Sequence, residues 1–373
     1  MLRRHSLPGA PDHLTPVVHV IDSLAIGGAE RLAIDLANGL AGRGRAVHLV
    51  ATRGAGPLLD DVATGVTVHN LARRSRFDLA GLGQFRRLVR DLSPGIVHAH
   101  GWSSLQFSTA ALAGRRRGPA LVFHDHRPVG LAALPRSYRV TAWPRTRAHL
   151  AVDDQLLHPP LRTRHRAIRA VVPNGIPVDR YRVKVHGAVS DPASIVVVAN
   201  LRPQKGHLVL ADAIAALVAA GTAVRVDLVG ATDDHAHRRA CEDRLAELGL
   251  SQVVRICGPR TDVATLLADY DLGVLASTTE SGPLALIEYL AAGLPFVVTD
   301  VGKVPRSLPP DFRRWLVPGG DAPALAIRMA EALAVPRADR QALAEQGRTF
   351  ARRELSLEHT IALVEDVYRQ LGG

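Results

Sequence analysis

The chain repeats one order of segments twice: short apolar strands alternate with amphipathic helices, and the order breaks once near residues 181–192. In the first half, a strand pattern at 17–22 is followed by a glycine-closed loop at 23–28, an amphipathic helix and a second strand at 46–52. A strand, a helix and a strand in this order pair as a parallel, right-handed unit. The alternation therefore predicts an α/β fold with parallel sheets.

The remaining strand patterns divide between the two halves of the chain. They lie at 95–100 and 120–126, in AHLAVD and AIRAVV further on, and in the second half at 194–200, AVRVDLVG, VVRICG, DLGVLAS and PFVVTD. At 373 residues the chain is too long for one ordinary core. We therefore predict two doubly wound Rossmann-like domains with a cleft between them, at 1–180 and 193–350, a linker at 181–192 and a C-terminal helix at 351–373.

Composition argues against a membrane span or a disulfide-rich secreted domain. Hydrophobic residues make up 47% of the chain, but no apolar run reaches the roughly 18 residues that a span needs. The first residues, MLRRHSLPGAPDHLTP, lack the apolar segment of a secretory signal. Cys241 and Cys257 are too few for a disulfide framework. We therefore expect a protein of the reducing cytoplasm, either soluble or peripheral to a membrane.

Positive charge is concentrated in the first half of the chain. Residues 1–180 contain 25 arginines and 12 acidic residues, whereas 181–373 contain 21 basic and 23 acidic residues. The excess lies in arginine-rich stretches at 73–76, 115–117, 136–147 and 162–169. Such a surface suits an anionic partner: lipid headgroups, a pyrophosphate-bearing substrate or nucleic acid. A general arginine bias is the alternative explanation, but it would raise the charge of both halves.

Two carboxylates, Glu280 and Glu288, lie around a Gly-Pro turn in the segment ESGPLALIE. A strand pattern precedes this segment, and a helix and a strand follow; α/β enzymes bind ligands at the carboxyl ends of such strands. Taken alone, the pair has a simpler explanation as an N-capping acid and an ordinary helix carboxylate. A ligand-facing role for both acids therefore depends on the rest of the chain.

Two loops carry groups that suit a phosphate. Gly27 and Gly28 close the loop after the first strand, where a missing Cβ lets an anion approach the free N–H groups of the next helix. A tight turn explains these glycines equally well. The loop NLRPQKGH carries Arg202 and Lys205, one of only three lysines in the chain. Cations there would hold a diphosphate and offset the charge it gains on leaving, with a solvated basic turn as the alternative.

Four histidines, His98, His100, His124 and His126, fall at the carboxyl ends of two predicted strands, and their spacing places each pair on one face. A metal site is conceivable, but neither pair has a third ligand at diagnostic spacing, and the sequence contains no HExxH or CxxC. We therefore interpret them as polar residues that line the cleft, or as hydrogen-bonded strand ends. The triplet DYD at 269–271 resembles a DxD nucleotide motif, but it lies where a helix meets a strand, and we interpret it as structural.

Taken together, these segments resemble the GT-B glycosyltransferases, specifically the large retaining group called family 4 or glycosyl transferases group 1. The resemblance covers nearly the whole chain and is most specific at 200–321, where order and spacing match. Its motifs are GGAE at 27–30, the strand-end histidines, VPNGIP at 172–177, NLRPQKG, ESGPLALIE, AAGLPFVVTDVGKVP at 292–305 and LVPGGD at 316–321. The resemblance implies a GT-B fold and retaining sugar transfer from a nucleotide-sugar donor, with neither a cofactor nor an obligatory metal, in cell-surface polysaccharide or glycolipid assembly.

The resemblance also implies roles for single residues. Glu280 would face the donor sugar, Glu288 the ribose, and Lys205 with Arg202 the leaving diphosphate, while His124 would contact the sugar or the acceptor. The C-terminal helix would pack back toward the N-terminal domain. The predicted sites are Glu280, His124 and Lys205 for catalysis; Gly28, Arg202, Lys205, Gly258, Glu280, Gly282, Pro283, Leu284 and Glu288 for the donor; and Gly27, His100, His124 and Arg127 for the acceptor.

The chain departs from the family pattern at two positions. Members usually carry an arginine five residues before the motif lysine, where this chain has Asn200, and Arg202 is the candidate replacement. Lys303 stands where the family often has a glycine, and it projects either toward the cleft or into solvent. Asn174 and Gly175 fit the interdomain hinge region.

The basic N-terminal half is predicted to bind the acceptor, and its charge favours an anionic or lipid-linked acceptor at the inner face of a membrane. Rival interpretations are a sugar-nucleotide epimerase of the same fold, a non-catalytic scaffold or binding protein, and a nucleic-acid-binding module. Nucleic acid is not expected as a partner, because aromatic residues are only 4% of the chain and do not alternate with the basic stretches.

Overall fold

The computed structural model describes residues 15–75, 78–114, 118–127, 141–157 and 167–372. Within these residues the chain forms two parallel sheets, of seven and six strands, with helices between the strands. The predicted α/β class with two doubly wound sheets is confirmed.

The first sheet occupies the N-terminal half, and all its neighbouring strands run parallel. Its strands are β1 (Val17–Ser23), β2 (Val47–Gly54), β3 (Val66–Asn70), β4 (Ile96–His100), β5 (Ala120–Asp125), β6 (Thr146–Ala151) and β7 (Ile168–Val171), and its helices are α1 (Gly28–Gly42), α2 (Leu79–Leu92) and α3 (Gly101–Ala111). The strand order is β3-β2-β1-β4-β5-β6-β7. The order therefore reverses between β1 and β4, which is where such sheets open a crevice for ligands.

The second sheet repeats this plan in the C-terminal half, again with parallel neighbours. Its strands are β8 (Ala193–Val198), β9 (Val224–Val229), β10 (Val254–Gly258), β11 (Leu272–Leu275), β12 (Phe296–Thr299) and β13 (Leu316–Val317). The helices are α4 (His207–Ala219), α5 (His235–Glu247), α6 (Val263–Leu266), α7 (Leu284–Ala292), α8 (Lys303–Ser307), α9 (Ala322–Ala334), α10 (Arg337–Glu354) and α11 (Leu357–Gln370). The order β10-β9-β8-β11-β12-β13 places the switch point between β8 and β11.

The ends of α7 show how local sequence sets an element. Pro283 precedes the first helical residue and has no N–H of its own to leave unpaired. Gly293 ends the helix with a φ of +66°, a left-handed conformation that favours glycine. The helix that the sequence predicts around the Gly-Pro turn is therefore observed, as Leu284–Ala292.

The last two helices connect the halves of the molecule. α10 packs against α7 of the C-terminal half, whereas α11 packs against α1. Ile361 and Tyr368 of α11 are buried in the core on one face of the first sheet, and a backbone bridge joins Ile176 to Ser356 just before α11. The chain therefore returns to the first sheet after completing the second.

Residues 181–192, between the two sheets, contain no helix or strand. Among the residues that the structure describes, no helix is both long enough and apolar enough to cross a membrane. Cys241 and Cys257 are free thiols.

Candidate active site

Lys205 and Glu280 meet at the switch point of the second sheet. Lys205 ends a short turn after β8, and Glu280 lies in the loop between β11 and α7. The Lys205 ammonium donates to Oε1 of Glu280 at 2.5 Å, and the Ser277 hydroxyl donates to the same oxygen at 2.8 Å. Gly206 follows the lysine with a φ of +68°, and a Cβ there would lie 2.0 Å from the carbonyl oxygen of Ala276. Close packing of the two loops thus fixes the cation beside the acid.

The N-terminus of α7 faces the first sheet. No side chain caps this helix, so its first N–H groups form a positive end that suits an anion. The Asn174 amide donates to the carbonyl of Gly282 at 2.6 Å and thereby ties the hinge region to the turn before the helix. A Cβ on Gly28 would lie 3.2 Å from Leu284. The predicted residues Gly28 and Gly282 to Leu284 are therefore brought together across the cleft.

Glu288 lies half-buried on α7, where the Tyr181 hydroxyl donates to its carboxylate at 3.0 Å. Burial raises the pKa of Glu288, while the bond from Tyr181 and the charge of Arg31 act in the opposite direction. Asp35 on α1 is buried as well, and burial raises its pKa to about 6. Asp35 and Tyr181 were not predicted as site residues, because Asp35 approaches Glu288 from the other half of the molecule and Tyr181 lies in the predicted linker.

Arg202 lies on the surface, just before the Lys205 turn. Burial raises the pKa of Glu30 on α1, and the positive charge of Arg202 acts in the opposite direction. Arg202 is therefore near enough to the first turn of α1 for its charge to act there. Asn200, at the position of the family arginine, accepts a hydrogen bond from the N–H of Ala231 at 3.0 Å. It therefore ties its loop to the end of β9.

Two predicted residues do not contact the Lys205–Glu280 pair. Gly258 lies on a distant strand of the second sheet, and Arg127 is paired with another acid. Gly258 ends β10, the edge strand, with a φ of +73° and open space where a Cβ would stand. Arg127 binds the Asp125 carboxylate through Nη2 at 2.7 Å and Nε at 2.9 Å. Asp125 also faces His149, with 3.6 Å between the carboxylate oxygen and the ring nitrogen. The Arg127 side chain is about a quarter exposed and remains within reach of solvent.

Five histidines on or just after the neighbouring strands β1, β4 and β5 form a cluster, which we call the histidine cluster: His19, His98, His100, His124 and His126. His100, His124 and His126 lie at the carboxyl ends of β4 and β5, whereas His19 and His98 lie further back in β1 and β4. The strand register places His19 beside His98 and His100 beside His124. All except the half-exposed His126 are buried. Two groups of three could each hold a metal ion, namely His19, His98 and His100, and His100, His124 and His126. Sequence spacing did not show the third ligand of either group, because in each group one histidine comes from a different strand than the other two.

The hydroxyl of the buried Tyr368 on α11 lies next to the two fully buried histidines His19 and His98. It lies 2.6 Å from Nδ1 of His98 and 3.4 Å from Nε2 of His19. Burial lowers the pKa of every histidine in the cluster, to about 3 for His19 and about 4 for His126. The rings are therefore neutral near pH 7, when each has one nitrogen that accepts and one that donates.

Further contacts bridge the cleft beside these groups. Arg306 of α8 donates to Asp153 at 2.7 Å, and Lys303 donates to Asp154 at 3.2 Å. The Ser281 hydroxyl lies 3.4 Å from the carbonyl oxygen of His126. Lys303, for which sequence left two orientations open, thus points to the first half of the molecule.

Only part of the predicted basic surface lies in the described residues. Arg115 to Arg117, residues 136–140 of the stretch 136–147 and residues 162–166 of the stretch 162–169 lie outside them. Arg73 is buried, donates to Asp22 at 3.0 Å and to Ser103 at 2.9 Å, and therefore serves as an internal ion pair. Arg74, its neighbour, is exposed.

The fold is that of the GT-B glycosyltransferases. Anabaena HepE, solved in complex with UDP-glucose, superposes with a TM-score of 0.78 over 96% of this chain and 99% of that chain, at 19% sequence identity. At this identity the likeness shows the fold alone.

The chain itself belongs to glycosyltransferase family 4. Residues 26–180 match the family described as Glycosyltransferase Family 4, and residues 192–335 match Glycosyl transferases group 1. The amylovoran biosynthesis glycosyltransferase of Erwinia amylovora is 30% identical over 160 residues, 41% of this chain and 39% of that enzyme. D-inositol 3-phosphate glycosyltransferase 2 of Catenulispora acidiphila is 29% identical over 83% of this chain and 82% of its own length. The chain thus spans about two fifths of the amylovoran enzyme.

Proposed function

We propose that this protein transfers a sugar from a nucleotide-sugar donor to an acceptor with retention of configuration, and that this transfer needs no metal. The observation that carries the proposal is the Lys205–Glu280 pair beside the uncapped N-terminus of α7. A cation, an acid and free N–H groups meet there at a topological switch point, where α/β sheets bind nucleotides. HepE was solved with UDP-glucose, which makes a uridine donor the first to test.

The leaving diphosphate is the group that most needs stabilisation. When the bond between the anomeric carbon and the diphosphate oxygen breaks, the electron pair stays with the oxygen, and negative charge grows there. The Lys205 ammonium, the Arg202 guanidinium and the α7 N–H groups would face that charge as it develops. In the free protein Lys205 bonds to Glu280, so donor binding would replace the carboxylate with a phosphate as its partner.

The two acids of ESGPLALIE have different surroundings, and we assign them different roles. Glu280 lies in the loop with Lys205 and Ser277 as partners, and we assign it to the hydroxyls of the transferred sugar. Glu288 lies a helical segment further on and is held by Tyr181, and we assign it to the ribose hydroxyls. Neither acid acts as the acid or base of a hydrolase pair.

The first sheet would supply the acceptor side of the cleft. Gly28 faces Leu284 at the N-terminus of α7, and we assign His124 to the sugar or the acceptor. The exposed arginines of this half favour an anionic or lipid-linked acceptor. Assembly of a cell-surface glycan is supported by the likeness to an amylovoran biosynthesis enzyme.

Incubation with a panel of nucleotide sugars, followed by NMR of the anomeric proton, tests the proposal and its rivals. Release of the nucleoside diphosphate with a product of unchanged anomeric configuration is the expected result. A product of inverted configuration would overturn the retaining mechanism. Conversion of the donor to an epimer would indicate a sugar-nucleotide epimerase, and a protein that neither binds nor consumes a donor would be a scaffold. The same panel with EDTA tests whether transfer is independent of metal.

A further inference from the structure

The histidine cluster leaves buried ring nitrogens without partners. Among the described residues, no strong hydrogen bond reaches either ring nitrogen of His124, although the backbone of Val172 is close enough to act on its pKa. Nε2 of His98 and Nδ1 of His126 are also unpaired. A buried polar group without a partner is costly, so such groups in a native protein call for an explanation.

No choice of histidine tautomers gives every buried ring nitrogen in the cluster a hydrogen-bond partner. Nδ1 of His19 lies 2.9 Å from Nε2 of His100, and Nδ1 of His100 lies 3.2 Å from Nε2 of His126. If the protons point toward His126, its Nδ1 must carry an unpaired N–H. If they point toward His19, its Nε2–H donates to the Tyr368 hydroxyl, and this hydroxyl donates to Nδ1 of His98. The proton of His98 is then on Nε2, where it has no partner. A neutral imidazole has one N–H and one bare nitrogen, so one ring nitrogen of His124 stays without a partner in either case, even if the N–H points to the backbone of Val172.

We propose that His100, His124 and His126 bind a transition-metal dication of the Zn²⁺ class. Neutral imidazole suits zinc, copper and nickel. With zinc–nitrogen distances of 2.0–2.1 Å, a tetrahedral site places its ligand nitrogens about 3.4 Å apart. The 3.2 Å between His100 and His126 is close to this separation, and the three residues offer ligand atoms within 4.8 Å of one another.

The alternative group, His19, His98 and His100, is less suited to a metal. Tyr368 already bonds to His98 and approaches His19, and all three rings are buried away from solvent. The chosen group includes His126, which is half-buried and whose carbonyl lies 3.4 Å from the Ser281 hydroxyl of the opposite half. Three protein ligands leave one position of a tetrahedral ion to another ligand, which is typical of a reactive zinc site rather than of a closed structural one.

Charge near the site also favours a cation. The Asp125 carboxylate lies close enough to His126 to favour positive charge on it. This carboxylate is shared with Arg127, so it offsets only part of the charge of a dication.

Metal binding would engage His124, which the proposed function assigns to the sugar or the acceptor. Metal and donor should therefore weaken each other's binding, and by the same factor in both directions. This consequence rests on the proposed function, whereas the metal site itself does not.

Equilibrium dialysis of the tag-free protein against Zn²⁺, with metal analysis, tests the site, and the visible absorption of bound Co²⁺ reports its geometry. We expect one ion per chain, an intense four-coordinate Co²⁺ spectrum, and affinity lowered at least tenfold by His126→Gln. His69→Gln is the matched control, because His48 and His69 form a half-buried pair with 3.1 Å between ring nitrogens, and neither belongs to a group of three possible metal ligands among the described residues. Circular dichroism checks that both variants fold.

The absence of stoichiometric binding, binding unchanged by His126→Gln, or binding lost in His69→Gln would each overturn the proposal. If the metal binds but leaves donor affinity unchanged, the metal site is supported, and the proposed role of His124 in sugar binding is refuted.

Discussion

Lys205 and Glu280, 75 positions apart in sequence, are joined by a 2.5 Å hydrogen bond between the ammonium and the carboxylate. The bond links the loops after β8 and β11, the strands on either side of the switch point. The lysine side chain is 25% exposed and the glutamate 11% exposed, so the pair is accessible to a ligand yet shielded from bulk water. In the proposed function, the diphosphate of the donor would replace Glu280 as the partner of this lysine.

Replacement of this lysine should slow transfer. Lys205→Ala is expected to lower kcat/KM about 100-fold or more, roughly the effect of losing one group that stabilises developing negative charge. Arg238→Ala, which removes an exposed partner of Glu242 on α5, is the control and should leave the rate unchanged. Steady-state kinetics measures both, and a Lys205→Ala enzyme with an unaltered rate would refute the role of this residue.

The two acids should respond differently to loss of charge. Glu288→Gln weakens a charge-assisted bond to the ribose and should raise the donor KM about tenfold or more, with a small effect on kcat. Glu280→Gln should mainly lower kcat, because its sugar contacts matter most as the sugar ionises. The same kinetic change in both variants would contradict the division of roles. Glu247→Gln, an exposed acid on α5, is the control.

Asp35 should make stability depend on pH. Burial raises the pKa of Asp35 to about 6 from 3.8, so the folded protein holds a proton that the unfolded chain loses between pH 4 and 6. The stability from this group is present below pH 4 and is lost as pH rises through 6. Asp35→Asn should therefore stabilise the protein by up to about 3 kcal/mol at pH 8 and by little at pH 4. Urea unfolding of both proteins across this range measures the difference, and a constant difference would exclude the raised pKa.

The two ion pairs that join α8 to the first half of the molecule should contribute unequally to stability. Arg306 binds Asp153, which is fully buried, whereas Lys303 binds Asp154, which is 58% exposed. Arg306→Ala leaves a carboxylate short of a partner and should cost about 1–3 kcal/mol. Lys303→Ala breaks a surface ion pair and should cost less than about 1 kcal/mol. Denaturant unfolding compares the two variants, and equal losses would mean that burial of Asp153 does not govern the difference.

The basic first half should favour anionic membranes. Co-sedimentation with phosphatidylglycerol vesicles should exceed that with phosphatidylcholine vesicles and should fall as salt is added. Equal partitioning that does not respond to salt would count against a charged membrane face.

Sequence was sufficient for the fold because its signals are local. The alternation of strands and helices predicted both sheets, and Pro283 with Gly293 marked the ends of α7. The resemblance added the residue roles, and the structure placed Gly28 and Leu284 on facing sides of one cleft.

The contacts of the histidine cluster and of Glu288 that sequence did not predict are long-range. His19 enters the histidine cluster because β1 lies between β2 and β4, and Tyr368 reaches His98 across 270 positions. Tyr181 falls in the predicted linker, where no pattern indicated a partner for Glu288. Periodicity identifies which face of an element is buried, but it does not say which distant residue meets that face.

Thermal unfolding of the wild-type protein and Lys205→Ala with a panel of nucleotide sugars tests the central claim most directly. A ligand that binds only the folded protein stabilises it by about 2.7 kcal/mol at 100 times its Kd, or a rise in Tm of several degrees. We predict that at least one nucleotide sugar raises the wild-type Tm in this way, and that Lys205→Ala loses most of the shift. A panel that leaves the wild-type Tm unchanged, or that shifts both proteins equally, would contradict a donor site built on Lys205 and Glu280.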